Sequence, residues 1–178
     1  MSSLELNALN INGFVLEIAR IPILKYTVQE IQFPGVSLPV VEQPNPFLKI
    51  QQVGDHLSFD ELSFTFLVDE KMMNYRCIYQ WMKGLGFPDD YTDYAKFIRG
   101  VTGDENLETF TNNERLNQFS DVTITLLTNH KNPQLIYRLK DAFPINLSGF
   151  SAQVTNSEST PITATCNMQF TTMEISPA

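Results

Sequence analysis

Gly54–Trp81 reads GDHLSFDELSFTFLVDEKMMNYRCIYQW, and this stretch decides the fold class. Phe59–Val68 alternates, with Leu62, Phe64, Phe66 and Val68 on one phase and Glu61, Ser63, Thr65 and Leu67 on the other. That period of two predicts a strand with one core face. The pattern then changes. Met73, Cys77 and Trp81 recur at i, i+4 and i+8, with Ile78, Met82 and Leu85 widening the stripe. This predicts an amphipathic helix packed on a sheet. Asp69 is the expected N-cap, Glu70 the charge at the positive end of the dipole, and Gly84 and Gly86 the stop.

Outward from this stretch the chain is rich in strand signals. Phe14–Ala19 is a short apolar strand after the turn-like Asn12-Gly13, and Leu24–Phe33 (LKYTVQEIQF) a second, wetted on one face. Residues 34–46 hold Pro34, Pro39, Pro44 and Pro46. These exclude a central strand or a helix, because each lacks an N–H and fixes φ. The segment is nevertheless apolar (Val36, Leu38, Val40, Val41). It reads either as a loop folded on its own domain or as a contact arm for a neighbouring copy. Further strands are expected at Phe47–Val53, Phe119–Thr128, Leu135–Leu139 (ended by Phe143-Pro144), Leu147–Val154 and Ile162–Ile175. Residues 86–118 read as a long polar loop.

The 178 residues suit one domain with a substantial core. The net charge of −8, with no Lys/Arg cluster, disfavours groove-type nucleic-acid binding. Cys77 and Cys166 form no CxxC pair and read as buried free thiols. No secretory signal is expected from MSSLELNALNING. No apolar run approaches the ~20 residues that span a membrane.

The search for chemistry is negative. His56 and His130 each sit beside a turn, and HExxH, GxSxG and phosphate-cradling glycine loops do not occur. Asp55, His56 and Ser58 are adjacent in sequence, which does not make a triad. Asp89, Asp90 and Asp93 read as a solvated acidic loop before a cation site. No catalytic residue, metal site or cofactor is expected.

The ordered set FVLEIA, LKYTVQEIQFPGVSLP, GDHLSFDELSFTFLVDE followed by tryptophan, LKDAFPINLSGFSAQV and Ile162–Ile175 resembles the tail tube proteins of contractile-tailed bacteriophages, relatives of the type VI secretion tube proteins. The resemblance covers about residues 12–175. It implies a mainly β fold, two packed antiparallel sheets forming a barrel-like sandwich with one flanking helix. It implies a structural virion protein of the phage tail, synthesised in the host cytoplasm. Its subunits would form hexameric rings stacked around a lumen for DNA passage, with sheath and baseplate proteins as partners. The arm, residues 34–48, is then the expected intersubunit contact, through Pro34, Val36, Leu38, Val40, Val41, Pro44 and Phe47. The polar phases of the half-wet strands supply candidate lumen-wall residues: Thr27, Gln29, Lys49, Gln51, Arg138, Ser151 and Gln153. Two other readings stay open: a baseplate tube-initiator or secretion-tube homologue with the same fold, and a monomeric β-sandwich binding glycans through Tyr91 and Tyr94.

Overall fold

The computed structural model describes residues 13–86, 92, 118–128, 130–150 and 161–178. Its frame is one long strand, β9 (Pro133–Leu147), which belongs to two sheets. The first half of β9 pairs with β8 (Ser120–Leu127) on one side and β11 (Thr172–Pro177) on the other. β1 (Phe14–Ile18) adds to β8 and completes the first sheet. The second half of β9 pairs with β10 (Thr163–Gln169), which pairs with β7 (Leu62–Leu67), which pairs with the edge strand β2 (Val28–Gln32). All these pairs are antiparallel. Among the described residues the result is a sandwich whose outer strands β1, β2 and β11 each pair on one side, not a closed barrel.

Phe143-Pro144 does not end the strand at Leu139, contrary to the sequence reading. β9 bends instead at Asp141, whose φ of 54° is left-handed. Pro144 sits where the register with β10 shifts between Asn167 and Met168, so its missing N–H is tolerated. The partner run bends at the same corner: Ile162–Ile175 divides into β10 and β11 around Phe170, and Thr171 N–H donates to Lys140 O (3.0 Å). Of the expected Leu147–Val154 strand, Leu147 ends β9, residues 148–150 are not strand, and residues 151–154 lie outside the described residues.

The core follows from the period-two patterns. Leu62, Phe64 and Phe66 face Val122 and Ile124 of the other sheet's strands, with Leu16, Ile18, Ala164, Cys166 and Met168 in the same buried cluster. Helix α1 (Met73–Gly86) packs Cys77, Ile78 and Trp81 into this cluster. Trp81 is fully buried, and its indole N–H donates to Gln118 O (3.0 Å). The buried Arg20 guanidinium lies 5.3 Å from the Trp81 ring centroid, and burial pulls its pKa down to about 10.

The helix begins four residues later than Asp69. Met72 has φ 53° and its N–H closes a turn on Asp69 O (2.7 Å), which no α-helix continues through. Asn74, not Asp69, organises the entry. Its Oδ1 accepts from Asp69 N (3.3 Å) and Tyr75 N (2.8 Å), and its Nδ2 donates to Leu67 O (2.6 Å). Glu70 therefore lies outside the helix and gives it no first-turn charge.

Both cysteines are buried and outside any disulfide, and burial pushes the Cys166 thiol up to about 12. The native chain is therefore expected to give almost no reaction with a thiol reagent at pH 8, and two thiols per chain after denaturation. Fast reaction of the native protein would contradict this packing.

Candidate assembly surface

The proline-bearing arm is a β-hairpin standing clear of the sandwich. Its stem is a two-residue pair, β3 (Val36–Ser37) with β6 (Ser58–Phe59), closed by Asp60 N–H on Gly35 O (3.0 Å). Beyond it β4 (Val40–Gln43) pairs with β5 (Ile50–Val53), in the register Val40↔Val53 to Gln43↔Ile50. Residues 44–49 turn between them, so Pro44 and Pro46 occupy positions where no ladder N–H is needed. Two polar contacts brace the hairpin: Lys49 to Glu42 (3.0 Å) and Gln52 Nε2 to Gln43 Oε1 (2.7 Å).

Every residue from 35 to 53 is exposed. Phe47, at the tip, is 97% exposed, and Val36, Leu38, Val40, Val41, Leu48, Ile50 and Val53 are exposed with it. Hydrophobic side chains gathered on a projection mark a surface that another molecule covers. Of the expected contact residues, Val36, Leu38, Val40, Val41, Pro44 and Phe47 share this projection, whereas Pro34 does not: it is buried where the chain leaves β2. The expected strand Phe47–Val53 is the arm's return strand rather than a body strand.

The candidate lumen-wall residues that lie among the described residues do not form one surface. Thr27 is half-buried after a turn of 3-10 helix (Pro22–Tyr26) that replaces the start of the expected Leu24–Phe33 strand, and its hydroxyl donates to Leu24 O (3.3 Å). Pro22 at the head of that turn was the sequence signal. Gln29 lies in the irregular part of β2, between the paired Val28 and Glu30. Lys49 and Gln51 belong to the arm. Arg138 is exposed mid-β9, opposite Thr123 and Glu174. Ser151, Gln153, Tyr91, Tyr94 and most of residues 86–118 lie outside the described residues.

The two outward sheet faces differ in kind. The first carries mixed charge: Glu17, Asp121, Arg138, Lys140 and Glu174, with Lys140 bonded to Glu174 at 2.7 Å. That hydrogen bond, with the attraction between the charges, holds the Glu174 carboxyl below its usual range and the Lys140 ammonium above its own. The second face is a ladder of polar groups that sequence reading did not single out, and it includes the carboxylates of Glu30, opposite Thr65, and Glu61. Ser63 donates to Asn167 Oδ1 (3.0 Å), Thr65 and Thr165 hydroxyls meet at 3.2 Å, and Asn167 Nδ2 donates to Glu61 (2.8 Å). β2, β7, β10 and the second half of β9 contain no Lys or Arg. The signal was the Ser/Thr/Asn phase opposite the core phase of each strand.

Gly54 closes the base of the arm. Its N–H donates to Pro39 O (2.8 Å), and a Cβ there would stand 2.4 Å from that same oxygen. Gly54→Ala is expected to displace the hairpin, lowering the unfolding free energy by no more than about 1 kcal/mol while lowering self-association severalfold. Light scattering beside a urea titration measures both. Undiminished association would show that the arm's position is irrelevant.

A family model described as phage tail tube protein matches residues 3–174. No curated protein matches the chain. Among solved structures, a chain of the cryo-EM structure of the anti-feeding prophage cap, a tube terminating cap, aligns with TM-score 0.61 and 11% identity, covering 97% of this chain and 93% of that one. A chain of the sheath-tube complex of PVC, an extracellular contractile injection system in its extended state, aligns with TM-score 0.58 and 12% identity over 98% and 95%. One from the anti-feeding prophage baseplate aligns with TM-score 0.56 and 13% identity over 95% of each. At these identities the likeness is one of fold.

Proposed function

The chain belongs to the phage tail tube protein family, and from that membership we propose that it is a structural subunit of a contractile tail, assembling with its own copies into stacked hexameric rings around a lumen. The observation that carries self-assembly is the exposed apolar arm on a domain that already has its own core. Among the described residues the sandwich leaves open edges at β1, β2 and β11, which pairing with neighbouring copies would satisfy. We assign the lumen wall to the outer face of the second sheet, not to the dispersed set of Thr27, Gln29, Lys49, Gln51 and Arg138. A wall of Ser, Thr and Asn with Glu30 and Glu61, and without Lys or Arg on its strands, gives a passing polyanion such as DNA nothing to bind. The mixed-charge first face then looks outward, toward a sheath. Sheath and baseplate proteins are the proposed partners, and the virion tail the proposed location. No catalytic role is assigned.

Electron microscopy of the purified protein tests this reading. Rings or tubes are expected, with six-fold averages. A monomer in sedimentation at every concentration, without rings or tubes, would overturn it. The wall assignment has its own check: Thr65→Lys, which places a cation on the proposed lumen face, is expected to leave tubes intact but slow or block genome ejection.

A further inference from the structure

A cleft of about 500 Å³ opens beside the end of β1, lined by Glu17, Ile18, Pro22, Ile23, Lys25 and Tyr26. Its rim is apolar and wet at once: Tyr26 is 85% exposed, and Ile23 is half-buried against the core. One ion pair, Lys25 with Glu17, spans it. The cleft and the arm lie at opposite ends of β2. The turn bearing Tyr26 leads into Val28, and the arm leaves after Gln32. Five residues of strand separate them by about 16 Å.

Resting on the reading of the chain as a self-assembling tube subunit, we infer that this cleft receives the arm tip, Phe47 and Leu48, of a second copy. The tip is not seated in its own chain's cleft, since Phe47 is 97% exposed. The volume suits the occupant: a cavity of about 150 Å³ already holds one benzene ring, so this cleft has room for both side chains. The charges reciprocate. The arm carries Lys49 with Glu42 behind its tip, and the cleft carries Glu17 with Lys25. Each cation can face the other copy's anion. A projection at one end of β2 meeting a receptor at the other is a head-to-tail contact, which a symmetric assembly can repeat from copy to copy. The cleft is therefore assigned to a joint between copies of the chain in the assembly.

Cross-linking tests the assignment. Tyr26→Cys and Phe47→Cys full-length chains are mixed at equal concentration, allowed to assemble and oxidised with copper phenanthroline. Cys77 and Cys166 are buried and give little background. A mixed dimer of the two variants is expected to exceed either like-with-like dimer at least fivefold. In parallel, Ile23→Asp is expected to raise the protein concentration needed for assembly about tenfold and to leave the far-ultraviolet spectrum unchanged. If the wild-type chain assembles but the mixed dimer is no commoner than the others, the cleft assignment falls and the tube reading stands. If the wild-type chain remains a monomer, both fall.

Discussion

Replacing residues 40–53 with a two-glycine turn is expected to leave a folded chain that no longer polymerises. The graft is sterically simple, because Gly54 N–H and Pro39 O already meet at 2.8 Å at the base of the hairpin. No residue of the excised segment is buried. Loss of such surface typically changes stability by no more than about 0.5 kcal/mol, so the urea midpoint should stay near that of the intact chain. Assembly should respond very differently. Fully burying two side chains such as Phe47 and Leu48 contributes about 3–6 kcal/mol. Each 1.4 kcal/mol is about a factor of ten in association, so the deletion should weaken stacking by roughly 10²- to 10⁴-fold. Sedimentation velocity and negative-stain images, taken at concentrations where the intact chain forms tubes, measure the effect. Phe47→Ser alone should show part of it. Tubes of normal length from the deleted chain would remove the arm from the assembly contact altogether.

The arm also shows where sequence reading stops. Ile50-Gln51-Gln52-Val53 has the composition of a strand whether it pairs in the body or in a hairpin outside it, because alternation reports a pleated backbone and not its partner. Pro44 and Pro46 between two β-prone runs were a turn signal, yet the four prolines of the segment read only as excluding a central strand or a helix. Thr27 illustrates a second failure. Lys25, Thr27 and Gln29 alternate like a strand's wet face, but Pro22 starts a 3-10 turn and carries Thr27 against the helix entry. The corner at Asp141 left no trace, since a left-handed aspartate is rare and the nearby Pro144 pointed to a strand end instead. By contrast, the core faces of Leu62–Leu67 and Ser120–Leu127 and the stripe of α1 were legible. Burial there follows directly from period. The lumen wall was legible only as a polar phase on several strands. Which of those faces points inward is a property of the assembled ring, and one chain's alternation does not encode it.

Trp81→Ala should unfold the molecule more readily than any change on the arm. The indole is 1% exposed and sits where α1 meets both sheets. Truncating a buried tryptophan costs about 3–5 kcal/mol, because the neighbours fill the space only in part. Two further consequences add to the loss. The Gln118 carbonyl loses the indole N–H that reaches it at 3.0 Å. The buried Arg20 guanidinium loses the ring face 5.3 Å away that favours its charge. Against a total stability of about 5–15 kcal/mol, the variant should be marginal at 37 °C. Trp81→Phe separates the contributions: it keeps most of the apolar volume and loses the N–H, so about 1–2 kcal/mol is expected. Urea titrations belong below the assembly concentration, since a tube that binds only native chains would raise the apparent stability of both variants. A cost under about 1 kcal/mol for Trp81→Ala would mean that the helix does not seal the core. The arm deletion and the tryptophan truncation thus predict opposite phenotypes, a stable chain that cannot stack and a weakened chain whose arm is intact. That separation is expected only if the core and the assembly surface are independent parts of the same sandwich.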